Sequence, residues 1–101
     1  MGINIHLQDE RGEDIQVVAD PGMLLNKLLG KTEIQNSTCL RFVMPFADTT
    51  FNQAQAPVLL GELAGLRAGL DEKSLRLIDA IIRLAEQAER KPNLYLKFIG
   101  D

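Results

Sequence analysis

The chain has few of the residues on which many functional sites depend. Its 101 residues include one cysteine, one histidine and no tryptophan, and aromatic residues make up 5% of the total. A single cysteine excludes an internal disulfide framework and a cysteine-based zinc cluster, and a single histidine excludes any site that needs two imidazoles. The scarcity of aromatic side chains also leaves little with which to stack nucleic-acid bases.

Long apolar runs and an excess of basic residues are missing as well. No uninterrupted apolar run exceeds four residues, which excludes a membrane-spanning helix, and the N-terminal stretch MGINIHLQDE lacks the pattern of a signal peptide. The net charge is −3, which gives no general attraction to nucleic-acid phosphates. We therefore expect a cytoplasmic protein that binds neither nucleic acid nor membranes.

The remaining composition is that of an ordinary globular protein. Hydrophobic residues make up 46% of the chain and charged residues 25%, and no repeat or linker-like tract interrupts it. We therefore expect one compact domain over residues 1–101.

Strand and hairpin patterns occupy the start of the chain. Apolar and polar residues alternate over residues 3–8 and again over residues 15–19, which is the period of a half-buried strand. The short intervening loop contains Gly12, which favours a β-hairpin with a positive φ at this glycine. The run CLRFVM over residues 39–44 is rich in β-branched and aromatic residues and predicts a third strand, buried on both faces and ended by Pro45.

Helical patterns separate and follow this third strand. Asp20 and Pro21 form a helix-start signal for a short helix that ends at Gly30, and residues 31–37 are predicted to be a loop. A second helix is expected from Ala56, and a third over residues 72–90 with Asp71 as its cap.

A last alternating stretch completes the predicted fold. Residues 94–99 form the fourth strand, which makes the element order ββαβααβ. This order predicts an α+β two-layer sandwich: a four-stranded, mainly antiparallel sheet with the helices on one face. The alternative is a small α/β domain containing a βαβ unit.

A search for catalytic groups finds no recognisable motif. The chain has no phosphate-binding glycine loop, metalloprotease helix, calcium loop or nucleophile elbow. His6 with Cys39 could form a nucleophile–base pair, and Asp48 with Glu62 could form an acid–base pair, if the fold brought the two members of each pair together. Their spacing in the sequence gives no sign that it does. We therefore predict a non-enzymatic protein with no cofactor and no metal.

The segment between Phe46 and Gln55 is the part of the chain that packing explains least. It concentrates amides and hydroxyls in one connection, and connections commonly carry function. The candidate functional loop consists of Asp48, Thr49, Asn52, Gln53 and Gln55. Two interpretations stay open: these side chains line a pocket for a ligand, or they satisfy the backbone of an awkward turn before the helix that contains Pro57.

Two stretches carry a resemblance to a known group of sequences. The segment DTTFNQAQAPVLLGEL over residues 48–63 and the C-terminal NLYLKFIGD resemble small bacterial proteins of about this length. Those proteins share a GDT.FN..Q...L..EL segment and end in an aromatic-rich strand followed by Gly-Asp; Ala47 replaces the first glycine here. The resemblance implies no catalytic residue. In size and fold, such proteins are similar to immunity proteins of bacterial toxin systems.

The acidic residues are unevenly distributed. Residues 9–20 contain five acids and one base, and the candidate partner-binding residues among them are Asp9, Glu10, Glu13 and Asp14. An acidic hairpin attracts a basic partner. We therefore expect a protein-binding module with a basic protein partner, and an immunity-type toxin inhibitor is its narrower form.

Two alternatives accompany this expectation. One is a homo-oligomeric scaffold, a homodimer for example, formed on the uncovered face of the sheet by Tyr95, Lys97 and Ile99 with Val18 or Val43. The other is a ligand-binding protein or enzyme that uses the segment Asp48–Gln55.

Overall fold

The computed structural model describes residues 2–100. Met1, the first residue of the predicted domain, and Asp101, the last residue of the C-terminal motif, lie outside the described residues. The strands are β1 (Asn4–Gln8), β2 (Asp14–Val18), β3 (Asp48–Phe51) and β4 (Tyr95–Ile99), and the helices are α1 (Leu24–Leu28), α2 (Thr32–Gln35), α3 (Ala56–Leu66) and α4 (Glu72–Arg90), with a 3₁₀ turn at Leu40–Phe42.

The four strands form one sheet in the order β2-β1-β4-β3, and every neighbouring pair is antiparallel. The alternating apolar row of β1 faces the helices: Ile3, Ile5 and Leu7 are fully buried. From β4, Leu96 and Phe98 join them in the core. The α+β fold with a four-stranded antiparallel sheet is therefore confirmed.

The hairpin forms as predicted, with one irregularity that changes which side chains are buried. Gly12 has a φ of 82°, as its place in the turn required. A β-bulge near Gln8 shifts the register, and Ile15 and Val17 are consequently exposed while Val18 packs against the core. A bulge of this kind places one extra residue on the bulged strand and turns its side chains relative to the partner strand.

The third strand is the clearest error of the sequence prediction. Residues 39–44 do not form a strand: they contain the 3₁₀ turn and an extended segment, and β3 follows at Asp48–Phe51. Cys39, Leu40 and Val43 are buried, whereas Phe42 and Met44 are exposed. The prediction of burial on both faces is therefore wrong, because only some of the apolar side chains of this run reach the core.

The first helix begins later than predicted, at Leu24 rather than Pro21. The buried Asp20 still supplies the cap, since its carboxylate accepts hydrogen bonds from the backbone N–H groups of Leu24 and Leu25 at 3.0 and 2.7 Å. Met23, which lies between Asp20 and Leu24, takes a left-handed conformation with a φ of 56°. The predicted loop over residues 31–37 contains the short helix α2.

The last two helices match the sequence prediction closely. Asp71 caps α4 by accepting the N–H of Ser74 at 2.8 Å, and this contact holds the pKa of the Asp71 carboxyl below its usual value. On α4, Glu72 and Arg76 lie four residues apart and form a salt bridge at 2.9 Å. Asp79 pairs with Arg67 of the α3–α4 connection at 2.8 Å, which ties the end of α3 to α4.

Candidate functional site

The side chains of the candidate functional loop are bound to the protein's own structure. Asn52 and Gln55 form a reciprocal pair: the Gln55 N–H donates to Asn52 Oδ1 at 3.1 Å, and the Asn52 N–H donates to Gln55 Oε1 at 2.9 Å. Gln53 Nε2 donates to the carbonyl of Glu89 at 2.8 Å. These contacts close the turn before α3 and fasten it to the end of α4, so they give no support to a ligand pocket.

The other two residues of that loop belong to the edge strand β3. Thr49 Oγ1 donates to the carbonyl of Phe42 at 3.0 Å, which holds the preceding segment against the strand. Asp48 is exposed, and its carboxylate lies 3.6 Å from Lys97 Nζ on β4. The five candidate residues therefore do not converge on a common point.

The acids of the hairpin are largely engaged within the chain. Asp9 Oδ1 accepts the N–H groups of Arg11 and Glu13 at 2.9 and 3.0 Å, which builds the turn. Asp14 Oδ1 lies 2.9 Å from His6 Nδ1 and accepts Gln8 Nε2 at 2.8 Å. Of these four acids, Glu10 and Glu13 are the two whose carboxylates no hydrogen bond or salt bridge engages among residues 2–100.

The contacts of Asp14 have an electrostatic consequence. The hydrogen bond from Gln8 and then that from His6 lower the pKa of the Asp14 carboxyl, and the positive charge of Lys97 acts in the same direction. All of these groups project from the face of the sheet that no helix covers, because His6 lies between two inward-facing residues of β1.

His6 and Cys39 do not form a catalytic pair. His6 projects from the open face of the sheet, whereas Cys39 is buried in the core on the helix side. Burial raises the pKa of the Cys39 thiol, and the charge of Glu62 raises it further. A thiol with a raised pKa holds little of the reactive thiolate.

Glu62 also fails to pair with Asp48. Both Glu62 carboxylate oxygens accept backbone N–H groups of the segment that precedes the 3₁₀ turn: Thr38 at 2.7 Å, Leu40 at 2.9 Å, and Cys39 at 3.1 and 3.2 Å. Between residues 2 and 100, no three His, Cys, Asp or Glu side chains are grouped closely enough to hold a metal ion.

The feature that the sequence prediction missed is an apolar ridge, which we define as Phe42, Met44 and Phe46. Their exposures are 55, 55 and 82%, although all three are large apolar side chains within five residues of one another. The prediction of a doubly buried strand over residues 39–44 concealed this ridge. The signal that pointed to it was the combination of Arg41 and Pro45 within an otherwise apolar run, since neither suits a central strand.

The backbone beneath the ridge is held in place on several sides. Glu62 fixes its start, the buried Val43 anchors its middle, and the Gly100 N–H donates to the Ala47 carbonyl at 3.1 Å at its end. Gly100 lies so close to this segment that an added Cβ would stand 2.5 Å from the Met44 carbonyl oxygen. The ridge is therefore a fixed surface that presents its apolar side chains outward.

Arg41 adds a positive charge to the ridge. Its guanidinium carbon lies 4.7 Å from the centroid of the Phe42 ring, within the range of a cation–π contact. The ring thereby holds the charge beside apolar surface.

The open face of the sheet is a second exposed surface. Ile15 and Val17 of β2 are 49 and 48% exposed, and Lys97 lies beside His6 in the strand register. The predicted oligomer surface thus needs correction: Val18 packs against the core and Val43 is buried, so neither lies on it. Tyr95, Lys97 and Ile99 do project from this face.

Comparisons with protein-family models, curated proteins and solved structures found no match to this chain. The resemblance of the 48–63 and C-terminal motifs to a group of small bacterial proteins stays a prediction. Over residues 2–100, no helix has both the length and the apolar character needed to cross a bilayer.

Proposed function

We propose that this chain is a non-enzymatic protein-binding module that contacts its partner through the apolar ridge. The observation that carries the proposal is the exposure of Phe42, Met44 and Phe46 on one short segment. Single exposed apolar residues are common on protein surfaces, but three large ones at alternate positions of one short segment favour an interaction site.

The fixed backbone of the ridge supports the same proposal. A segment held by the Glu62 carboxylate and by the Gly100 contact loses little conformational freedom when a partner binds. Preorganisation of this kind raises affinity because less entropy is lost on association.

An immunity-type inhibitor of a bacterial toxin is the narrower form of this proposal. Glu10 and Glu13 at the hairpin tip supply negative charge that would steer a basic toxin surface during encounter. The hairpin tip and the ridge lie at opposite ends and opposite edges of the sheet, because Gln8 pairs with Tyr95 while Ala47 bonds to Gly100. They are separated by about 16 Å along the strands and about 14 Å across them, so only a large partner would contact both.

Site-specific photocrosslinking in the native cell tests the module. We expect Phe46→p-benzoylphenylalanine to give one discrete protein adduct that a second change, Met44→Ser, abolishes. The same photoreactive residue at the exposed Ala68 serves as the control and should not give that adduct. Absence of an adduct at position 46, or equal adducts at both positions, contradicts the proposal.

Co-expression then tests the inhibitor form. If the crosslinked partner is a toxin, expression of the partner alone should arrest growth, and co-expression of this chain should restore growth. Glu10→Lys with Glu13→Lys should weaken that rescue, whereas Glu89→Lys on the exposed end of α4 should not. A harmless partner overturns the inhibitor form and leaves the binding module standing.

A homo-oligomeric scaffold is the second candidate, and the half-exposed Ile15 and Val17 favour it. A β-sheet edge that carries exposed β-branched residues is a template for self-association. Sedimentation velocity should then show concentration-dependent association that Val17→Lys abolishes. A strict monomer at tens of micromolar rejects this candidate.

A further inference from the structure

Arg41, in the 3₁₀ turn at the start of the ridge, has no partner of opposite charge among residues 2–100. Lys97, by contrast, faces Asp48 at 3.6 Å, and Glu62 is occupied by backbone amides. Arg41 therefore contributes an uncompensated positive charge to the apolar ridge of a chain whose net charge is negative.

The cation–π contact with Phe42 leaves the guanidinium able to bind an anion, because this contact engages the delocalised charge and uses none of the N–H donors. The guanidinium carries five such donors in a planar fork. A carboxylate accepts two such N–H groups at once, and this bidentate contact is shorter and stronger than a neutral hydrogen bond. Apolar side chains around the pair exclude water and strengthen the attraction.

We propose that the ridge binds an apolar segment of a protein partner that carries an Asp or Glu side chain opposite Arg41. This inference rests on the proposed function and adds the chemistry of the partner to it. The apolar side chains of that segment would cover Phe42, Met44 and Phe46, and its carboxylate would neutralise the one unpaired charge among them.

Charge complementarity also distinguishes this occupant from a second copy of the chain. A two-fold contact places the same surface on both partners, so a ridge-to-ridge dimer would bring two Arg41 side chains together. The unengaged acids Glu10 and Glu13 lie at the far end of the sheet and are not available to such a symmetric contact.

Selection from a displayed library of random peptides tests the inference directly. We expect enriched peptides to combine several apolar residues with at least one Asp or Glu. Phe46→Ser should weaken their binding by about tenfold or more, as expected at the centre of an interface. Arg41→Gln should weaken it about fivefold and reduce its salt dependence, while Arg41→Lys should retain part of the salt dependence. Phe46 and Arg41 are exposed, and circular dichroism of each variant checks that the fold is retained.

The outcomes separate this inference from the proposed function. Neutral or basic peptides that need Phe46 but ignore Arg41→Gln overturn the inference and leave the binding module intact. No enrichment, or peptides indifferent to Phe46→Ser, overturn both. Binding to vesicles of phosphatidylcholine and phosphatidylserine that requires Phe46, or self-association that Phe46→Ser abolishes, would replace the partner segment by a lipid surface or by a second copy.

Discussion

At the residue scale, the Glu62 carboxylate organises the segment that leads to the ridge. Its two oxygens accept hydrogen bonds from the backbone N–H groups of Thr38, Cys39 and Leu40, so that both oxygens are engaged in structural contacts. An amide side chain at this position has one oxygen only, and its NH₂ group would face backbone N–H donors. The role of Glu62 is therefore structural, although a carboxylate on a helix near a cysteine invites a catalytic interpretation.

We expect Glu62→Gln to lower the free energy of unfolding by about 1–3 kcal/mol, because part-buried backbone N–H groups would lose a charged acceptor. Urea unfolding followed by circular dichroism measures this change. The matched control is Glu89→Gln on α4, whose side chain is exposed and should change stability by less than about 0.5 kcal/mol. Equal effects of the two variants would show that the amide contacts do not matter.

Asp14 gives the protein a pH-dependent stability at the same scale. Because its pKa is lowered in the folded chain, the unfolded chain binds the proton more tightly, and the stabilisation is present above about pH 4. It is lost as the pH falls through the lower folded value. The same argument applies to Asp71, whose pKa Ser74 lowers.

We therefore expect Asp14→Asn to make the loss of stability below about pH 4 less steep. Gln8→Ala keeps the Asp14 carboxyl but removes the hydrogen bond that lowers its pKa most, so this variant should have part of that effect. Urea unfolding at a series of acidic pH values provides the measurement. An unchanged slope in Asp14→Asn would contradict the assignment.

At the element scale, α3 has an unusual outer face. Gly61 is exposed in the middle of the helix and Gly65 near its C-terminal end, and an added Cβ at either one would meet no atom within 4 Å. Their spacing of four residues is typical of close helix packing, yet no other backbone among residues 2–100 approaches them. Within this chain, the two glycines cost helix stability without a packing requirement.

Replacing either glycine should stabilise the protein. We expect Gly61→Ala and Gly65→Ala each to raise the free energy of unfolding by about 0.5–1 kcal/mol, because alanine restricts the unfolded chain and adds no clash. Thermal and urea unfolding provide the test. Gly12→Ala is the contrasting variant and should destabilise the protein, since its φ of 82° disfavours any side chain. Destabilisation by Gly61→Ala would contradict the open space beside Gly61.

At the scale of the whole molecule, the aromatic residues divide between a core and an exposed surface. Phe98 is fully buried and meets Phe51 edge to face, with ring centroids 5.7 Å apart, whereas Phe46 is 82% exposed. The core lies between one face of the sheet and the helices, while the ridge lies outside it beside the edge strand β3. Phe51 and Phe98 therefore contribute to stability, whereas the proposed partner binding uses the exposed Phe46.

The two phenylalanines should respond to substitution in opposite ways. We expect Phe98→Ala to cost about 3–5 kcal/mol, by removing buried contacts and leaving a cavity. Phe46→Ala should change stability by less than about 0.5 kcal/mol while it weakens the binding of peptides selected on the ridge. Denaturant unfolding of the two variants tests the first part. A large loss of stability in Phe46→Ala would place the ridge in the core and remove the basis of the proposed function.

The amino-acid sequence by itself determined the elements whose pattern is local. The alternation in β1 predicted that strand and its buried face, because side-chain spacing decides which residues share a face, and the Asp71 cap predicted where α4 begins. The antiparallel α+β fold followed from their order. Only the tertiary structure decided the course of residues 39–47. Their apolar composition satisfied the requirements of a buried strand. The contacts that hold them outward come from the nearby Thr49 and from Glu62 and Gly100, which lie far along the chain. Arg41 and Pro45 argue locally against a central strand, but the contacts with Glu62 and Gly100 have no local signature, and so the ridge became visible only in the folded protein.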